Sequence, residues 1–416
     1  MPDRESLLGA RLWLAFATML LVSGVGNTFP VFFPPLLAEF GGSRGATALT
    51  ISLVWVLGAA LGPVAGALVD RRDPRLVVGA GLAATAVGLL GAAFAPTLPI
   101  FIACFGVGAG IGVGLTGMVT QAAIIADTYS RRRGFATGIA FAGSMAGYVL
   151  AAPAQAAIVR IGWRGTLALH VALLLLLVPF IARLYPRRLT PRPTTAADRT
   201  LGAVARSGPF WALTIVFSVA PLVGYLATTQ HALYFTAHGF RAGEAATMLM
   251  IGGVLSTAGR ALAGLAADRF GAPAVGVVSY SMTLIGTLCL VGFEFHPAAW
   301  LAWGYVFFVF LPLGTRATIV AMLVPRLAPP SRFGAVFGAL AIGNNLGAAL
   351  GPFLSGAIYD VTRSYLAVYV VAVGLVASGL AALLSFLVFT DAGGPDIAPD
   401  APQRSVAPRG TRDAAR

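Results

Sequence analysis

Two arginines interrupt long apolar stretches: Arg260 in STAGRALAGLAADRFG (Ser256–Gly271) and Arg316 in FLPLGTRATIVAML (310–323). The apolar run around Arg260 begins near Glu244 and ends at Asp268-Arg269-Phe270-Gly271. Arg260 precedes that charged turn by about eight residues, roughly 12 Å of helix. In a hydrocarbon layer about 30 Å thick its guanidinium is expected near the middle, where a permanent cation is expensive and marks a pathway or pocket. A planar guanidinium matches a carboxylate through two parallel N–H···O bonds. The acidic residues Glu39, Asp127, Glu244, Glu294 and Asp360 all fall near the ends of apolar segments, so no midplane carboxylate of the chain is expected beside Arg260. An anionic substrate would fill that place; a structural ion pair is the alternative. Arg316 stands about nine residues before Pro325, a depth of roughly 13 Å. A second cation there suggests a dianion or a second anion site, unless Arg316 bonds helix-end carbonyls or a polar neighbour.

His231 is the one histidine well inside an apolar segment. It could bond substrate, carry a proton near neutral pH, or join helices as a satisfied donor. Tyr148 and Gln121 in the first half of the chain, and Asn344 and Asn345 in the second, are further polar positions within apolar segments. Each either lines a cavity or bonds a neighbouring helix without any ligand. No Ser/His/Asp set and no His/Asp/Glu cluster with ligand spacing is evident. No catalytic residue, metal or cofactor is therefore expected, and the chain is not read as an enzyme.

The composition decides what these residues sit in. The chain has 416 residues, 58% hydrophobic and 10% charged, and its mean hydropathy is +0.85. No ordinary soluble domain has that balance. Twelve apolar segments of spanning length can be drawn: 11–36, 46–68, 76–95, 98–126, 134–159, 165–184, 209–236, 244–266, 273–293, 297–324, 333–358 and 364–389. All 28 basic residues are Arg, and the net charge of +13 lies in the gaps between these segments. That pattern is a topology signal and not a nucleic-acid footprint. Twenty-one arginines fall on the side that carries both termini and five on the other, which predicts cytoplasmic termini. Cys104 and Cys289, inside apolar stretches, read as packing residues. The run Gly106-x-Gly108-x-Gly110-x-Gly112-x-Gly114 reads as a close helix-packing surface, not a phosphate loop.

The polar stretch Tyr185–Ser207 divides the segments six and six, and the two sides repeat one another. Gly66-Ala-Leu-Val-Asp70-Arg71 follows the second segment and Gly264-Leu-Ala-Ala-Asp268-Arg269 follows the eighth, 198 residues on. Gly138, Gly143, Gly147 and Pro153 recur as Gly338, Gly343, Gly347 and Pro352. The expected organisation is an N-terminal six-helix bundle (1–184), a cytoplasmic linker (185–208), a C-terminal six-helix bundle (209–390) and a disordered tail (391–416), with a site near midplane between the bundles.

The loop GALVDRRDPRLVV (66–78) and its echo GLAADRFGAP (264–273) resemble the major facilitator superfamily, with Asp73 where that pattern has Gly. The resemblance implies that Gly66, Asp70, Arg71, Gly264, Asp268 and Arg269 form a gating latch that holds the outward-facing state. GVGNTFPVFFPPLLAEFG (24–41), RRRGFATGIAFAGSMAG (131–147), GWRG (162–165), QHALYFTAHGF (230–240) and RFGAVFGALAIGNNLGAALGPFLSGAIYD (332–360) are similar to the monocarboxylate transporter and oxalate:formate antiporter branch. That branch implies transport of small organic anions and a buried Arg like Arg260. Asn27 stands close to where it commonly carries Lys, and Ser256 where proton-coupled relatives carry Asp. Neutral residues there favour exchange or facilitated transport over proton symport.

The sequence is thus read as an all-α membrane protein of twelve transmembrane helices in two pseudo-symmetric halves. The expected function is secondary transport of mono- or dicarboxylates by alternating access in a cell inner membrane. The substrate site is expected to use Arg260, Arg316, His231, Asn27, Tyr148, Asn344, Asn345 and Gln121. A counter-anion or a proton is the candidate coupling partner, the bilayer the surroundings, and a monomer the expected state. The alternative is a superfamily exporter of drugs or amphipathic metabolites, for which Arg260 would be inessential.

Overall fold

A chain that crosses hydrocarbon must satisfy every backbone amide without water, which leaves helices or closed barrels. The computed structural model describes residues 4–129, 133–189, 204–327 and 333–391, and among these there is no strand. The spans are α1 (Gly9–Phe40), α2 (Arg44–Arg71), α3 (Pro74–Ala93), α4 (Leu98–Thr128), α5 and α6 (together Ala136–Leu184), α7 (Gly208–Thr228, continued by His231–Ala237), α8 (Ala242–Phe270), α9 (Ala272–Phe295), α10 (Ala299–Arg326), α11 (Phe333–Thr362) and α12 (Tyr365–Asp391). The 49-residue stretch holding α5 and α6 turns at Gly162, whose φ of 72° lies in the left-handed region, so it contains two spans. Twelve spans result, each overlapping the corresponding apolar segment of the sequence. The tail after Asp391, much of the linker and Arg131, Arg132 and Arg332 lie outside the described residues.

Within the first half, α4 is held between α2 and α3 by its alternate glycines. Gly106, Gly110 and Gly114 face Leu53, Leu57 and Leu61 of α2, while Gly108 and Gly112 face Gly88 and Thr85 of α3. A carbon added at Gly108 would sit 2.5 Å from the Gly88 Cα, so the backbones touch and no side chain fits between them. Cys104 and Cys289 are free and half-buried, packed against Gly91 and Gly304 respectively.

Besides α5, which a 3-10 turn (Gly147–Leu150) interrupts, four spans are broken, and these pair across the repeat. The α1 helix breaks at Thr28, α4 at Gly117, α7 at Thr229–Gln230, and α10 at a π-helical segment (Val306–Phe310) and again at Gly314–Thr315. The first and fourth helices of each half are therefore discontinuous. Breaks free backbone carbonyls that need donors, and in a membrane these donors must come from neighbouring side chains. We call the face bearing the start of α1 and the α2–α3 turn the termini face, and the opposite one the far face.

Candidate functional site

The polar residues picked out in the sequence cluster at those breaks. Asn27 ends the first piece of α1 and donates from Nδ2 to the Ser144 carbonyl of α5 (2.7 Å), while its Oδ1 is buried with no partner. Gln121 follows the α4 break and donates to the Thr116 carbonyl (3.0 Å), and its Oε1 accepts from the Tyr185 hydroxyl (2.9 Å). Burial pushes the Tyr185 phenol above the ordinary tyrosine range, opposed by its bonds to Thr18 and Gln121. Gln121 thus ties α4 to the end of α6 within one half.

His231 opens the second piece of α7. Its Nε2 lies 3.0 Å from the Ala245 carbonyl and its Nδ1 3.3 Å from the Tyr305 hydroxyl. A carbonyl can only accept, so Nε2 carries the proton, and Nδ1 is free to accept from Tyr305. Both ring nitrogens are satisfied inside the second half. Asn344 donates to the Phe217 carbonyl (3.1 Å), tying α11 to α7. Its neighbour Asn345 is half-buried and makes no hydrogen bond among the described residues.

Arg316 starts the last piece of α10 and is 4% exposed. Its guanidinium sits 4.5 Å from the centre of the Tyr280 ring and donates from Nη2 to the Thr283 hydroxyl and to the Ser279 carbonyl (3.3 Å), all on α9. Its Nε is buried without a partner.

Arg260 is placed differently. Its Nε donates to the Gly314 carbonyl, freed at the α10 break (3.2 Å), and its Nη1 to the Phe141 carbonyl of α5 (2.6 Å). The second bond crosses from one half to the other. Nη2 has no bond among the described residues, and no carboxylate pairs with this cation there. The Phe141 carbonyl also accepts from the Ser144 hydroxyl (3.0 Å), so Asn27, Ser144, Phe141 and Arg260 form one polar chain from α1 to α8. Arg260 and Arg316 do not converge. The Gly314 carbonyl faces Arg260, whereas the Arg316 guanidinium turns to Ser279 and Thr283 of α9.

Aromatic contacts near midplane are also shared between the halves. Tyr148, in the 3-10 turn that interrupts α5, packs edge-on against Phe310 of α10 (5.5 Å), and its hydroxyl meets Thr228 of α7. Trp55 of α2 meets Tyr225 of α7 at 5.0 Å, with its Nε1 buried and unpartnered. Gly253 of α8 lies directly against Tyr148. Ser256 donates to the Phe310 carbonyl at the π segment (2.6 Å). Phe141, Trp55 and Tyr225 were not singled out from sequence. The first acts through its backbone, and no residue type signals that.

The repeated loops lie on the termini face. Asp70, Arg71, Asp268 and Arg269 are exposed, with Gly66 and Gly264 one turn inward, and neither Asp makes a hydrogen bond among the described residues. Asp73 caps α3 by accepting from the Arg75 amide (2.9 Å), a use for the residue that replaces Gly in the loop pattern. Arg71, Arg72, Asp73, Leu76, Arg187 and Arg188 line a cleft of ≈ 790 Å³ there.

A bundle of twelve spans in two repeated halves, with the Arg260 guanidinium bonded across them to a backbone carbonyl, has the architecture of a membrane carrier. The family model of the Major Facilitator Superfamily matches residues 14–339 and 262–413, and the chain belongs to that superfamily. Among curated relatives, monocarboxylate transporter 13 of Bos taurus is 29% identical over 384 residues, covering 89% of this chain and 87% of its own. Monocarboxylate transporter 11 of Mus musculus is 30% identical over 385 residues, covering 88% and 84%. The fold matches a crystal structure of a D-xylose-proton symporter (TM-score 0.73, 16% identity, 91% of this chain and 96% of that one). It also matches an inward-facing bacterial homologue of the lysosomal transporter Spinster (TM-score 0.69, 17% identity, 94% and 96%). The protein is a transporter and not an enzyme.

Proposed function

We propose that the protein is a secondary carrier of small organic anions, working by alternating access with its termini face toward the cytoplasm. One observation carries this reading: Arg260 lies between the halves, bonded only to two backbone carbonyls and free of any carboxylate among the described residues. A substrate carboxylate that took the place of the Phe141 carbonyl would replace a neutral acceptor by a charged one, about doubling the strength of each hydrogen bond. The similarity to monocarboxylate transporters supports that class of substrate.

Asn27, Tyr148 and Asn345 are the polar groups we assign to the rest of the substrate. Arg316, His231, Gln121 and Asn344, each bonded inside its own half, we assign to holding helix breaks together. With Ser256 bonded to a carbonyl and Asn27 neutral, no carboxylate or histidine accompanies Arg260 among the described residues, which favours exchange or facilitated movement over proton symport.

A thermal-shift series of the purified protein against formate, lactate, pyruvate, oxalate, succinate and aromatic acids tests the reading, with Arg260→Gln in parallel. A ligand bound only by the folded carrier raises its stability. Stabilisation of the native protein by an acid and not of the variant is the expected result. The aromatic pairs Trp55–Tyr225 and Tyr148–Phe310 between the halves favour one competing reading, export of amphipathic compounds. Stabilisation by hydrophobic cations or neutral compounds, equal in the variant, would establish it instead.

A further inference from the structure

At the far face the two halves are joined by a corner that the carboxylate reading does not use. Arg44 opens α2, and its contacts across the bundle lie in the other half. Its backbone amide and that of Gly45 donate to the two oxygens of Asp360, in the last turns of α11 (3.1 and 2.8 Å). The first amides of a helix have no partner in the helix and carry its positive end, where a carboxylate is stabilised. The side chain of the helix's own cap, Ser43, accepts from Ala46 (3.1 Å), so Asp360 takes donors that this hydroxyl leaves. The Arg44 guanidinium lies 3.5 Å from the centre of the Tyr359 ring, close enough for a cation–π contact. It also donates to the Tyr365 hydroxyl and to Gln230 Oε1 (3.2 Å), and Gln230 in turn donates to Ser355 (2.9 Å). Backbone meets backbone beneath, since a carbon added at Gly356 would sit 2.5 Å from the Gly45 Cα.

The contacts of Arg44 and Gly45 with Asp360, Tyr359, Tyr365 and Gln230 cannot survive separation of the halves at this face. At the other end of the same helix, Asp70 is exposed and unbonded among the described residues.

We infer that Asp360 is the carboxylate of a far-face latch: it caps α2 across the gap between the halves, with Arg44 seated in the Tyr359–Tyr365 cage as its second element, and so holds the carrier closed on that side. The α2 helix would then be gripped at its start in this state and released there when the far face opens. The inference rests on the alternating-access reading.

The test uses the full chain in liposomes with Cys104→Ser and Cys289→Ser, and Ser52→Cys as reporter. Ser52 is 7% exposed and lies two helical turns below Gly45 on the same side of α2. Its modification by a membrane-impermeant maleimide from the far-face solvent measures opening there. Asp360→Asn is expected to speed modification about tenfold or more, the population shift that follows loss of charge-assisted hydrogen bonds. Arg44→Gln is expected to act in the same direction and guards against misfolding of the first variant. Unchanged modification in both variants overturns the latch. A disulfide between Gly45→Cys and Ala357→Cys is expected to stop both modification and transport until it is reduced. If the cross-linked carrier still transports, alternating access itself fails, a result distinct from failure of the latch alone.

Discussion

Arg260 donates to the carbonyl of Phe141 at 2.6 Å, and the two residues belong to opposite halves of the molecule. The cation is therefore hydrogen-bonded across the interface before any substrate arrives. Arg260→Gln should abolish carboxylate uptake into proteoliposomes. Arg260→Lys should lower it by a hundredfold or more, about 2.7 kcal/mol, because an ammonium cannot offer the fork that spans a carboxylate. Wild-type uptake by the Lys variant would show that charge alone suffices.

Arg316 should prove a stability residue. Its donors reach Ser279 and Thr283 of α9 and its plane lies over Tyr280, so Arg316→Gln is expected to lower stability by about 1–3 kcal/mol. The ratio of mono- to dicarboxylate uptake should stay as it was. A selective loss of diacid transport would place Arg316 in the site.

His231 is satisfied as a neutral ring, with Nε2–H on Ala245 and Nδ1 toward Tyr305. The pH profile of transport in His231→Gln should keep its wild-type shape near neutral pH. His231→Phe, which takes away the acceptor of the Tyr305 hydroxyl, should cost roughly 1–3 kcal/mol. A flattened pH profile in the Gln variant would reassign the residue to proton movement.

Gly253 is where α8 presses on α5. A methyl group there would lie 2.6 Å from the Tyr148 Cβ and 3.0 Å from the Val149 amide nitrogen, so Gly253→Ala must push the halves apart at midplane. Transport should fall while each half stays folded, seen as reduced turnover with little loss of helix content. Tyr148→Ala in the same chain should not restore it, since alanine keeps the Cβ and the Val149 backbone stays in place.

The spans were legible because hydrocarbon thickness and backbone satisfaction leave a long apolar run few options, and α1 to α12 follow the twelve segments closely. The break at Gly162 was visible only as the short gap 160–164 between two apolar segments. Depth was legible too, which is why Arg260 and Arg316 read alike. Direction was not: two residues of α10, the freed carbonyl of Gly314 and Arg316 itself, decide that one guanidinium faces the interface and the other α9. Arg44 was counted as a loop charge, and nothing local distinguishes it from Arg241. Its role depends on Asp360, 316 residues away, arriving at the start of α2.

The helix breaks in α1, α4, α7 and α10 carry a consequence for biogenesis. Asn27 and Gln121 find their partners within the first six spans, and His231, Arg316 and Asn344 find theirs within the last six. Each half can neutralise its own exposed carbonyls as it leaves the ribosome and need not wait for the other. Two separately encoded half-chains should therefore insert and reassemble in the same membrane, with the Arg260–Phe141 bond and the Arg44 corner forming last.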